Sequence, residues 1–194
     1  MKTIFTGIIT LASMLLAVSA DAQKIKTTSG DADILKNESS VNVEFVYDGM
    51  SVGKYSTEKE YISEKTAEYN GKEAGKGDNW AQSWQNSKAN RYEPKFTELF
   101  TQTSKMSIDK NAKYTIIFKT RSIEPGYNVG IARKNAQIDA EIWIVETANK
   151  SNKLAVITMD NVPGGTPFGY DFDTGQRISE GYANAGKKLA KYIK

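Results

Sequence analysis

Apolar and polar residues alternate along four stretches of the chain, and a spacing of three to four residues governs most of what lies between. In residues 41–47, Val41, Val43, Phe45 and Tyr47 share one side while Asn42 and Glu44 take the other, which predicts a strand with one buried face. Asp48-Gly49 closes it as a turn. The period of two returns over residues 114–121, 135–147 and 154–160, the second with Ala136, Ile138, Ala140, Ile142 and Ile144 inward. Breaks at 124–127 and 149–152 are short enough to join these into an antiparallel meander.

Between the first two strands the period is helical. Thr57-Glu58-Lys59-Glu60 has the capping-box spacing and opens a helix carrying Tyr61, Ile62, Lys65 and Tyr69 on one stripe, fraying before Gly71. Gly71, Gly75 and Gly77 predict a flexible connection, and Asp78 is placed as the cap of a second helix with Trp80 and Trp84 one turn apart. Glu93-Pro94 opens a fresh helical turn, with Phe96, Leu99, Phe100 and Thr103 inward. After a loop at 161–174, Ile178, Tyr182, Ala185 and Leu189 form the stripe of a last helix. Gly181, Ala183 and Gly186 there permit a close neighbour, and Lys187, Lys188, Lys191 and Lys194 suit its carboxyl end. The order β-α-β-β-β-α predicts an α+β fold of two α/β layers: a four-stranded, mixed, mostly antiparallel sheet with helices on one face. Residues 23–40 are polar and turn-rich apart from Ile34-Leu35, and are expected to be a mobile amino-terminal segment before a single domain at 41–194.

The chain opens differently. Lys2, an apolar run of 15 residues at 4–18 and the small residues of Ser19-Ala20-Asp21-Ala22 have the layout of a secretory signal peptide over 1–22, cleaved after Ala22 or after Ala20. The run is shorter than the roughly 20 residues that span a bilayer, so the mature chain is expected to carry no transmembrane segment. The expected location is periplasmic, outer-membrane-associated or extracellular.

Composition narrows the chemistry. The 194 residues include no histidine and no cysteine, which excludes histidine-based nucleophile systems, thiol catalysis, disulfides and imidazole or thiolate metal sites. Set against each other, 26 basic and 23 acidic residues leave a net charge of +3, which gives no reason to expect a nucleic-acid partner. No cofactor and no metal site are expected.

Several motifs resolve into structural roles. Gly71-Lys72-Glu73-Ala74-Gly75-Lys76-Gly77 lacks the spacing and the Ser or Thr of a phosphate-binding loop. Asp171-Phe172-Asp173-Thr174-Gly175 starts like a calcium loop, but Gly175 stands at the third ligand position and Tyr182 at the twelfth. Asp173, with Gln176 three residues on, is expected to cap the last helix. Asp139 and Glu141 share a strand face beside Trp143; they are expected to form its wet side, with glycoside hydrolysis as the catalytic alternative.

Two places remain as candidate binding sites. Trp80 and Trp84, among Asn79, Gln82, Gln85 and Asn86, combine rings that stack on sugars with amides that bind hydroxyls, although the same spacing describes core packing. The stretch at 163–172 gathers Phe168, Tyr170 and Phe172 among glycines, and with Tyr127 in the other Gly-Pro loop would form a recognition rim.

The segments GDNWAQSWQNSKANRYEPKFTELF, EPGYNVGIARKNAQIDAEI and GYDFDTGQRISEGYANAGKKLAKYI resemble a family of small exported Bacteroidetes proteins with no established biochemical function. That resemblance implies a Gram-negative envelope or extracellular location and transfers no site residue. The order of elements is also similar to the α/β amino-terminal domain of TolB. The sequence reading is therefore an exported, non-catalytic binding or protein-interaction module of the cell envelope with an unidentified ligand or envelope-protein partner. Its alternatives are a carboxylate-dependent hydrolase acting on glycans and a structural component of an envelope assembly.

Overall fold

A computed structural model describes residues 24–128, 132–166 and 174–194. The segment at 1–22 expected to be a signal peptide and the rings of Phe168, Tyr170 and Phe172 lie outside the described residues, as do Asp171 and Asp173.

The three alternating stretches of the meander form β5 (Tyr114–Glu124), β8 (Gln137–Glu146) and β9 (Asn149–Pro163), paired antiparallel in that order. The stretch at 41–47 forms β2 (Ser40–Val46), which runs parallel to β5, with Phe45 opposite Phe118. Its crossover is helical, as parallel pairing requires.

The sheet is larger than the four strands expected. Among the described residues it has seven, in the order β1-β9-β8-β5-β2-β4, with β3 also on β5. The additions are β1 (Lys24–Gly30), β3 (Ser51–Val52) and β4 (Ser107–Ile108). β3 and β4 have two residues each, too few to show a period. β1 (KIKTTSG) lies in the stretch expected to be mobile; it pairs antiparallel with β9 and leaves its residues mostly exposed, so it has no apolar alternation to read. A 3-10 turn at Ala32–Leu35 follows, burying Leu35. A separate small hairpin pairs β6 (Tyr127–Asn128) with β7 (Arg133–Lys134).

One face of the sheet carries the core: Phe45, Ile116, Phe118, Ile138, Ala140, Ile142, Ile144, Ala155, Ile157 and Met159. Against it lie α3 (Glu93–Ser104), through Phe96 and Phe100, and α4 (Thr174–Tyr192), through the expected stripe of Ile178, Tyr182, Ala185 and Leu189. Phe96 touches Phe45 and Phe118 at ring-centroid distances of 5.4 and 4.8 Å. The other face is polar, with Lys150 paired to Glu44 at 2.6 Å and the Lys153 ammonium 3.6 Å from the centre of the Trp143 ring. No helix among the described residues is long and apolar enough to cross a membrane.

Candidate functional site

The two tryptophans of the sequence reading are set by a helical hairpin. α1 (Glu58–Lys72) starts at the expected capping box: Thr57 Oγ1 accepts from the Glu60 amide at 3.2 Å, and Glu60 Oε2 accepts from the Thr57 amide at 3.3 Å. α1 runs past Gly71, and α2 (Lys76–Ser87) begins before Asp78, so the glycine-rich connection is shorter than expected. Asp78 is not the cap; that position belongs to Gly75, and Asp78 lies in the first turn of α2. Here Asn70 fastens the hairpin, accepting from the Gly77 amide at 2.7 Å and donating to Asp78 at 3.1 Å. Gly77 allows this contact because a Cβ there would stand 2.1 Å from the Thr66 carbonyl oxygen.

α3 (Glu93–Ser104) begins at Glu93, where Glu93-Pro94 was expected to open a helical turn, but no break separates it from α2. A π-helical turn at Lys88–Tyr92 joins the two. Pro94 has no amide to donate and its ring crowds the preceding turn. The wider turn absorbs that conflict without breaking the helix, and π turns of this kind are frequent at functional sites.

Trp84 is buried, with its Nε1 donating to Glu58 Oε1 at 2.6 Å. Lys88 Nζ donates to the other Glu58 oxygen at 2.7 Å and sits 4.9 Å over the Tyr47 ring. Glu58 thus ties the start of α1 to the end of α2 and fixes the plane of the Trp84 indole. Trp80 is half-buried, 5.8 Å from Trp84 between ring centroids and inclined to it by 30°. Core packing and an accessible wall, alternatives in the sequence, are therefore divided between the two: Trp84 packs inward, and Trp80 shows part of its ring.

Both indoles line a cleft of about 240 Å³ between α2, the π turn and the first turn of α4. Ser83, Asn86 and Ser87 come from α2, Asn90 and Arg91 from the π turn, and Thr174 and Gly175 from α4. Asn86 and Asn90 are exposed. Sequence reasoning missed Asn90 and Arg91, which the π turn presents, and Thr174, which the packing of α4 beside α2 brings to the cleft. Below the cleft, burial raises the Tyr92 phenol above its ordinary value; its ring stacks on Tyr182 at 5.0 Å.

Trp80 also lines a second concavity, of about 340 Å³, with Tyr69, Lys72 and Lys76. The Tyr69 ring is 5.6 Å from Trp80 at 65°, edge to face, with Lys65 and Lys72 ammoniums 5.6 and 5.4 Å from its centre. Hydrogen bonds from Lys65 and Lys72 hold the Glu68 carboxyl down at about 2.

The remaining candidates go elsewhere. Tyr127 is 46% exposed and lines a separate depression with Gly53, Lys54, Glu124 and Lys134, away from the tryptophan cleft. Asp139 and Glu141 do share the wet face, and both are engaged: Asp139 accepts from the Ser122 hydroxyl and the Asn161 amide, each at 2.7 Å, and Glu141 accepts from Trp143 Nε1.

No family model matches the chain, and no curated protein matches it. Among solved structures it is similar to the PelC dodecamer from Paraburkholderia phytofirmans, at 13% identity and a TM-score of 0.40, over 87% of this chain and 97% of that one. A single-substitution variant of the same PelC gives 12% and 0.39 over the same shares. A likeness of this degree establishes neither fold nor function.

Proposed function

We propose that the chain is an exported, non-catalytic binding module whose ligand site is the tryptophan cleft, and that the cleft takes a sugar ring. One observation carries the reading. The half-buried Trp80, packed with Tyr61 on the buried Trp84, opens into a cleft lined by amides, hydroxyls and a guanidinium, from Asn86, Asn90, Ser83, Ser87, Thr174 and Arg91. A pyranose has the complementary surface: an apolar C–H face to lie on an aromatic ring, and a rim of hydroxyls that both donate and accept. Amide side chains match such a rim because each offers a donor and an acceptor. At about 240 Å³ the cleft is smaller than the range for drug-sized ligands, roughly 300–1,000 Å³, and its size suits a single ring. The leader-like sequence at 1–22 supports export.

A panel of immobilised neutral and acidic mono- and oligosaccharides tests this reading with the mature protein. Binding is expected for at least one neutral sugar, weakened about tenfold by Asn86→Ala or Asn90→Ala, without turnover. Both residues are exposed, so neither substitution should alter the melting temperature. A protein that binds no sugar, or that binds equally well without both amides, would end the proposal.

A further inference from the structure

We infer that the ligand is a neutral oligosaccharide of at least two hexopyranose units, crossing Trp80 from the cleft into the groove beside Tyr69. This rests on the sugar-binding reading of the cleft and adds the second subsite and the path between them. Trp80 is the wall common to both concavities. Ring centroids along Tyr69, Trp80 and Trp84 are spaced 5.6 and 5.8 Å, the distance of rings packed on one another, and Trp84 is buried, so the accessible ring surface of the path is that of Trp80 and Tyr69. The Tyr69–Trp80 planes meet at 65° and the Trp80–Trp84 planes at 30°, so the path turns at Trp80. A chain that bends at its glycosidic oxygen follows this turn.

The groove also favours a neutral occupant. Lys72 is ion-paired with Glu68 at 2.7 Å and Lys76 with Glu73 at 3.1 Å. The two ammoniums keep donors for hydroxyl groups while neighbouring carboxylates offset part of their charge, which reduces the attraction for a polyanion. Tyr69 is half-buried and keeps part of its ring accessible.

Calorimetry with defined probes tests the path: β-1,4-linked glucose, β-1,4-linked N-acetylglucosamine and α-1,4-linked glucose, each at one to four units. At least one series should gain tenfold or more in affinity from monosaccharide to disaccharide and little beyond. Tyr69→Ala should bring the disaccharide down to the affinity of its monosaccharide, and Tyr69→Phe, which keeps the ring, should restore the gain. Lys76→Ala, at an exposed position, should lose part of the gain and serves if Tyr69→Ala fails to fold. If mono- and disaccharides bind equally, the groove is not a subsite and the cleft reading survives. A gain that persists in Tyr69→Ala also overturns the path. If no probe of any length binds, cleft and path fall together.

Discussion

At the residue scale, Asp139 shows how a side chain with a catalytic profile in the sequence serves the backbone. The β5–β8 register slips between Thr120 and Ser122, and the β8–β9 register between Ile138 and Ala140. Arg121 on one side and the Asp160–Asn161 pair on the other are thereby bulged around the same β8 residue. Asn161 takes a φ of +56°, which asparagine tolerates better than most residues, and its amide then points at Asp139. The bulged residues Arg121 and Asp160 pair with each other across β8. Asp139→Ala should therefore cost about 1–3 kcal/mol, the usual penalty for leaving such donors unmet. Asp139→Asn should cost less, because the Ser122 hydroxyl can rotate to accept. Urea unfolding of both variants checks this, and a loss under about half a kcal/mol in Asp139→Ala would refute the stapling role. Tyr92 is the opposite case: its hydroxyl is fully buried and meets no partner at full hydrogen-bond geometry among the described residues, since the neighbouring Ser87 hydroxyl donates to the Ser83 carbonyl. Tyr92→Phe removes that uncompensated group while keeping the ring on Tyr182, so its stability should equal or exceed wild type by the same measurement. The alternation around Asp139 was legible in the sequence; the two bulges were not, since register depends on partner strands.

At the element scale, the period of the last helix identified its buried face correctly, and Gly186 shows what that period means for packing. A Cβ at Gly186 would stand 2.3 Å from the Phe96 carbonyl oxygen, so α3 and α4 cross with backbone nearly on backbone. Gly181, on the same helix, would put a Cβ 3.4 Å from the Ile138 side chain, an ordinary contact. Two chemically identical substitutions should thus differ in sign. Gly186→Ala should destabilise by at least about 2 kcal/mol because backbone has to move. Gly181→Ala should be neutral or stabilise by up to about 1 kcal/mol, since alanine is the better helix former. Thermal melts that shift the same way for both would mean that α3 and α4 are not in this close crossing. Elsewhere the element reading erred for identifiable reasons. Pro94 marked the start of α3 correctly, but the π turn that joins α3 to α2 left no signal in the apolar period. β1 escaped notice because an edge strand facing solvent needs no apolar alternation.

At the scale of the whole molecule, a fold without cysteine relies on one continuous core, and much of that core is aromatic. The helices are joined to the sheet through phenols: Tyr182 shares a 2.7 Å hydrogen bond with Thr120 of β5, and Tyr47 donates to Glu93 at 3.3 Å. The apolar period had placed Tyr182 and Tyr47 facing inward, but a linear pattern cannot show that α3, α4 and β2 bring such rings together. Burial raises the phenols of Tyr47, Tyr61, Tyr92 and Tyr182 above their ordinary value, reinforced at Tyr47 by Tyr182 and the Glu93 carboxylate. In the unfolded chain these groups ionise near pH 10. Above that pH the unfolded state sheds protons that the folded state keeps, so stability is complete below about pH 10 and falls as pH rises. Each such tyrosine removes about 1.4 kcal/mol per pH unit, and four together roughly 5–6 kcal/mol. A domain of ordinary stability, about 5–15 kcal/mol, then unfolds cooperatively within about one to three pH units above 10. Tyrosinate absorbance recorded alongside near-ultraviolet circular dichroism tests this, with single Tyr→Phe variants assigning the four contributions. Those four should ionise only as the tertiary signal disappears, and Tyr182→Phe should make the alkaline transition less steep. Ionisation of all four while the tertiary signal stays intact would mean that water reaches the phenols and that the helices are not seated on the sheet through them.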